Sequence, residues 1–154
     1  MVTVKVKLQD IVDEMVMDFP DQLRLIHITS GKVFSLLQEF LTDVEYGKPY
    51  DDLPEWHQEQ IFLAIDLLEN EDNYISLPTQ FDINEYGMMK DFCFMQKGSR
   101  QNELLNAIKG KGAFRRFKDR IYDFDLEDAW YTFRDECYQQ IAIDFCKQHG
   151  LEYE

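Results

Sequence analysis

The residues best suited to chemistry lie between Lys109 and Arg120, where six cations, Lys109, Lys111, Arg115, Arg116, Lys118 and Arg120, face one acid, Asp119. Gly110 and Gly112 precede the apolar set Phe114, Phe117, Ile121 and Phe124, so the segment sets glycines and cations at the start of a predicted helix. Backbone amides are unpaired there, the helix dipole favours negative charge, and arginine forks can grip two phosphate oxygens at once. Lys109, Lys111, Arg115, Arg116 and Lys118 are therefore the candidate residues for an anion or an anionic partner. The spacing is not that of a Walker phosphate loop, because no Lys-Ser or Lys-Thr pair follows a GxxxxG. A competing reading puts Phe114 and Phe117 in the core and pairs Arg115, Arg116 and Lys118 with acidic helices.

Other chemistry is thinner. Cys93, Cys137 and Cys146 form no CxxC pair and read as small buried hydrophobes in a reducing compartment. Cys146 and His149 have the spacing of half a metal site, but only His27 and His57 remain to complete it, so no metal and no cofactor are expected. Carboxylate pairs such as Asp51-Asp52, Glu127-Asp128 and Asp135-Glu136 have no histidine partner at a useful spacing, and Thr29-Ser30-Gly31 lacks the frame of a nucleophile elbow. Arg134 with Asp135 and Glu136 reads as a helix-surface ion network, catalytic only if buried. Trp130, Tyr131, Phe133, Tyr122 and Phe124 offer a stacking surface, yet the helical spacing of Trp130 and Phe133 assigns those two to a core.

These residues need elements to hold them. Val2, Val4, Val6 and Leu8 alternate with polar residues and predict an edge strand, followed by a helix from Leu8 to Phe19 that Pro20 stops. Leu23–Ile28 and Val33–Leu37 flank Thr29-Ser30-Gly31-Lys32 and predict a hairpin. Thr42 to Pro54, with Gly47 and Pro49, reads as a connecting loop. Beyond it come a helix with the stripe Ile61, Ala64, Ile65, Leu68, an extended crossing at Tyr74–Pro78, a helix capped by Asp82 carrying Ile83, Met88, Phe92 and Met95, and one capped by Ser99. Asp125 is expected to cap a last long helix with the stripe Leu126, Ala129, Trp130, Phe133, Cys137, Ile141, Phe145, closed by Gly150. The expected fold class is α+β: one domain, 1–154, in which a strand-helix-hairpin portion (1–40) packs on a helical portion (54–150) of four to five helices.

Composition bounds the rest. The chain has 154 residues, 45% of them hydrophobic, enough for a sizeable core. No apolar run is long enough to span a membrane and the first ten residues alternate valine with lysine, so a soluble, cytoplasmic protein with no membrane contact is expected. Thirty acids and 16 cations give a net charge of −14. The 109–120 segment is +5 and everything else −19, a field that argues against nucleic acid.

Two stretches stand out as strings: Asp72 to Tyr86, DNYISLPTQFDINEY, and Gly112 to Asp119, GAFRRFKD, followed by Leu126 to Tyr131 and Phe133 to Glu136. Both resemble a bacterial family of small proteins, uncharacterised protein family UPF0158. With Arg24 to Phe34 added, the likeness covers most of the chain, least recognisably from Phe40 to Pro54. The resemblance implies a shared fold and supplies no catalytic residues. The expected function is a non-catalytic binding or regulatory module with a protein partner, an anionic small molecule being the other ligand class; nothing in the sequence sets an oligomeric state. The alternatives are a small hydrolase-type enzyme, marked by Arg134, Asp135 and Glu136 converging with Arg116 in a cleft, and an acidic mimic of DNA.

Overall fold

The computed structural model describes residues 4–17 and 20–154. The chain is α+β and divides into two compact units, Met1–Thr79 with Ala142–Glu154, and Gln80–Ile141. Among the described residues there are seven α-helices and one three-stranded sheet, more helices than the sequence predicts.

In the first unit, helix α1 (Leu8–Val16) is followed by β1 (Gln22–His27) and β2 (Val33–Leu37), which pair antiparallel from Gln22↔Leu37 to Ile26↔Val33. The expected hairpin is present. Gly31 takes φ +73° in its turn, and a Cβ there would lie 2.9 Å from Cγ1 of Val4, so both backbone and space demand glycine. Helices α2 (Gln38–Glu45) and α3 (Glu55–Glu69) come next, then β3 (Tyr74–Ser76), which pairs antiparallel with β1 to give the order β2-β1-β3. The predicted extended crossing is thus the third strand. Helix α2 occupies the start of the expected loop, because Phe40, Leu41 and Val44 share a helical face and pack with Leu36, Ile61 and Ala64 in one apolar cluster. Glycine and proline farther on in that stretch masked this short period.

The edge of β2 is closed by a side chain. Gln60 accepts the Leu37 N–H at 2.9 Å and donates to the Ser35 carbonyl at 3.0 Å, which satisfies ladder groups that an open edge would offer to another chain.

The expected N-terminal edge strand is not formed among the described residues. Residues 1–3 lie outside them, Leu8 already belongs to α1, and Val6 alone bridges in parallel to Tyr153. That bridge links the two ends of the chain, a pairing no local alternation can encode. The predicted helix end at Phe19 also lies outside the described residues, since α1 closes at Val16 and Asp18 and Phe19 are not among them.

The second unit holds α4 (Glu85–Met95), α5 (Ser99–Ala107), α6 (Ala113–Asp123) and the first part of α7 (Glu127–Gln148). Three caps differ from expectation. Asn84 rather than Asp82 caps α4, accepting the Gly87 N–H at 2.9 Å, while Gly98 occupies the cap position of α5 and Ser99 is its first helical residue. Asp125 does not cap α7. It ends α6 with φ +57°, its N–H bonded to Tyr122 O and that of Leu126 to Ile121 O, the paired bonds of a Schellman turn. Gly150 ends α7 in the same way, through Lys147 O and Cys146 O, as the sequence predicts.

The bridge at Val6 involves three backbone hydrogen bonds, Val6 N to Glu152 O, Glu154 N to Val6 O and Leu8 N to Glu154 O, and covers Val6 almost completely. Deleting residues 152–154 is expected to cost on the order of 2 kcal/mol, read as a melting temperature lower by about 4–8 °C. An unchanged melt would show that the bridge contributes nothing to the first unit.

Candidate functional site

Helix α6 buries Ala113, Phe117 and Ile121, at spacing i, i+4, i+8, and leaves the rest of its surface to other uses. Phe117 joins Phe92 of α4 and Trp130 and Phe133 of α7 in an aromatic cluster, with ring centroids 4.8 Å apart for Phe117–Trp130 and 5.4 Å for Phe92–Trp130. Trp130 is therefore core, as its spacing predicts. Phe114 is not: it is 47% exposed, because it lies off the stripe that reaches α4 and α7.

The five candidate cations separate. Arg116 turns its guanidinium onto backbone carbonyls: Nε donates to Ala107 O at 2.8 Å, Nη1 to Lys111 O and Nη2 to Lys109 O. One planar fork thus closes the end of α5 and the loop after it, where carbonyls carry the negative end of the helix dipole. Gly112 fits this arrangement twice over, with φ +78° and a would-be Cβ 2.9 Å from Arg116 Nη1. Lys109, Lys111, Arg115 and Lys118 are exposed and, among the described residues, make no ion pair or side-chain hydrogen bond. Arg120 pairs with Asp123 at 3.1 Å within its own helix.

Arg134, Asp135, Glu136 and Arg116 do not converge. Asp135 and Glu136 are exposed on α7, whereas Arg134 reaches Glu85 on α4. Three donors meet on a single oxygen, Glu85 Oε1: Arg134 Nη2 at 2.9 Å, Arg134 Nε at 3.1 Å and the Tyr138 hydroxyl at 2.6 Å. The Arg134 guanidinium also lies 5.2 Å from the centre of the Tyr138 ring. Burial by itself would raise the Glu85 pKa, but the Tyr138 and Arg134 hydrogen bonds and the charges of Arg134 and Lys118 outweigh it and hold the carboxyl below its usual range. Burial, reinforced by the Glu85 bond and charge, pushes the Tyr138 hydroxyl up to about 12.

This constellation was missed in the sequence, although a signal exists: Trp130, Arg134 and Tyr138 recur every four residues and so share the buried face of α7. Beside it lies a cleft of about 100 Å³ lined by Glu85, Met89, Phe114, Phe117, Lys118, Trp130, Tyr131 and Arg134. A larger open groove of about 350 Å³ lies between α5 and α6, where Arg116 and Arg120 are balanced by Glu103 and Asp119.

Cys93 and Cys146 are fully buried and Cys137 half-buried, and burial raises all three thiols, Cys93 to about 11, which leaves little thiolate for nucleophilic work. Among the described residues no group of His, Cys, Asp and Glu is disposed to hold a metal ion, and no helix is long and apolar enough to cross a membrane.

Fold and site together define an α+β protein with a helical unit built on an aromatic cluster and closed by an arginine on backbone carbonyls. The model of uncharacterised protein family UPF0158 matches residues 44–153, and the chain belongs to that family. The match takes in the DNYISLPTQFDINEY and GAFRRFKD strings and begins after the hairpin, inside the stretch that looked least familiar. No curated protein and no solved structure matches the chain.

Two outcomes are expected. Arg116→Ala and Arg116→Lys should both destabilise, by about 1–2 kcal/mol in a denaturant titration, since the single nitrogen of a lysine cannot span the three carbonyls that Nε, Nη1 and Nη2 reach separately; a lysine variant of parental stability would refute the role. Because the Glu85 carboxyl is held below its ordinary value of 4.5, its ionised form stabilises the fold above that pH, and the contribution fades as pH falls through the lower folded value. The stability gap between the parent and Glu85→Gln should accordingly be widest near neutrality and shrink in acid; a gap independent of pH would contradict this.

Proposed function

We propose that the protein is a non-catalytic binding or regulatory module of the cytoplasm whose α6 surface receives an acidic segment of a protein partner. The carrying observation is that Lys109, Lys111, Arg115 and Lys118 stand exposed and unpaired among the described residues of a chain whose net charge is −14. Arg115, Lys118 and Tyr122 recur at i, i+3, i+7, a stripe turned away from the buried Ala113, Phe117 and Ile121. Tyr122 is 72% exposed, so this stripe offers aromatic as well as cationic contact. We leave Arg116 out of the receiving surface, because three of its five N–H donors hold the guanidinium against carbonyls at the end of α5 and in the α5–α6 loop. The acidic remainder favours a protein partner over nucleic acid, since a long phosphate backbone would meet net repulsion away from α6.

The test is affinity capture from the native cell extract with the parent chain and with Arg115→Ala/Lys118→Ala. Surface substitutions of this kind should change stability by no more than about 0.5 kcal/mol, while the double variant loses the retained protein and the parent releases it at raised salt. Equal retention by both chains, or retention of nucleic acid in place of protein, would overturn the reading.

A further inference from the structure

We infer that the cleft where α4, α6 and α7 meet is a recognition pocket for one acidic side chain of a partner polypeptide, with a neighbouring apolar residue of that segment resting on its aromatic rim. This deepens the proposed α6 surface and rests on it. Size sets the first bound: about 100 Å³ admits a single side chain and excludes a nucleotide or a larger cofactor. Charge sets the second. The lining carries Lys118 and Arg134 against Glu85, a net of one positive charge, and Glu85 is already occupied on Oε1 by Arg134 and Tyr138. Arg134 is thereby held in place before any ligand arrives, while Lys118 is exposed and unpaired among the described residues and free to swing onto an incoming carboxylate.

The rim supplies the third bound. Phe114 is 47% and Tyr131 46% exposed, on two different helices that line the same cleft, so apolar surface has been left in water beside a cation. Rigid aromatic contacts next to a charge recognise an acidic residue with an apolar neighbour better than a bare anion. Phe114 and Lys118 stand four residues apart on α6, which places both on one side of that helix and joins the cleft to the cationic stripe.

Trp130 lines the cleft, and the only other tryptophan is Trp56, so Trp56→Phe leaves a single reporter. The probe is a capped hexapeptide of three Glu-Leu repeats, compared with the same peptide carrying glutamine for glutamate and with inorganic phosphate. The glutamate peptide should shift Trp130 emission saturably, the glutamine peptide should bind at least about tenfold more weakly, and Lys118→Ala and Tyr131→Ala should each weaken binding about fivefold or more. An absent saturable response, or equal binding of the glutamine peptide, would overturn the pocket. If Arg115→Ala weakens binding while Phe114→Ala and Tyr131→Ala do not, the acidic segment is read on the outer face of α6, and the pocket fails while the broader reading stands. Phosphate binding as tightly as the peptide would replace the assignment with a simple oxyanion site.

Discussion

A carboxylate drawn partly out of water must be met by donors, and in this protein Glu85 is met by two residues of one helix. Arg134 and Tyr138 lie a turn apart on α7 and both give hydrogen bonds to the same oxygen, which sets the register of α7 against α4. Trp130, one turn earlier on that face, then falls against Phe92 and Phe117. Apolar packing alone would tolerate sliding of α7 by part of a turn, because dispersion and burial have little directionality. Three convergent charge-assisted bonds tolerate much less. The aromatic cluster gives this unit buried apolar surface without fixing its register, and the Glu85 contact supplies the direction that burial lacks.

Helix α6 serves three masters with eleven residues. Its buried stripe joins the aromatic cluster, Arg116 on one flank ties down the preceding loop, and the remaining cations and aromatics face solvent or the cleft. Such division follows from helical geometry, in which residues one apart point about a quarter-turn away from each other. Adjacent arginines in the GAFRRF string therefore have unrelated tasks: Arg115 is exposed and unpaired among the described residues, and Arg116 is bound to three carbonyls. A charge run counts as one feature in composition and as several in space.

The first unit shows the same economy in its polar contacts. Gln60 imitates a strand along the edge of β2, and the hydroxyl of Tyr74 on β3 donates to Asp66 of α3, where burial first and the Asp66 contact second push the tyrosine up to about 12. Both side chains sit between a small sheet and the helix that covers it. Three strands bury little surface by themselves, so such ties between sheet and helix matter more here than in a larger sheet.

The α+β class, the hairpin with its glycine turn, Ile61 and Ala64 of the α3 stripe, Phe117 and Ile121 of the α6 stripe and the glycine end of α7 were legible in the residues, because each rests on local periodicity or on one residue's φ preference, whereas Leu68 and Phe114, which spacing assigned to the same stripes, are exposed. Family membership was legible in two short strings. Helix α2 was hidden, since its period is brief and broken by nearby glycine and proline; the Val6–Tyr153 bridge was hidden because its partners stand at opposite ends of the chain. At the site, the sequence singled out the cations but could not sort them. Whether an arginine meets a carbonyl, a carboxylate or water depends on which chain segments lie within a side chain's reach, and that was decided only when α4, α5, α6 and α7 came together. The bond between Glu85 and Arg134 spans 49 residues, and no spacing rule connects them; the packing of two helix faces does.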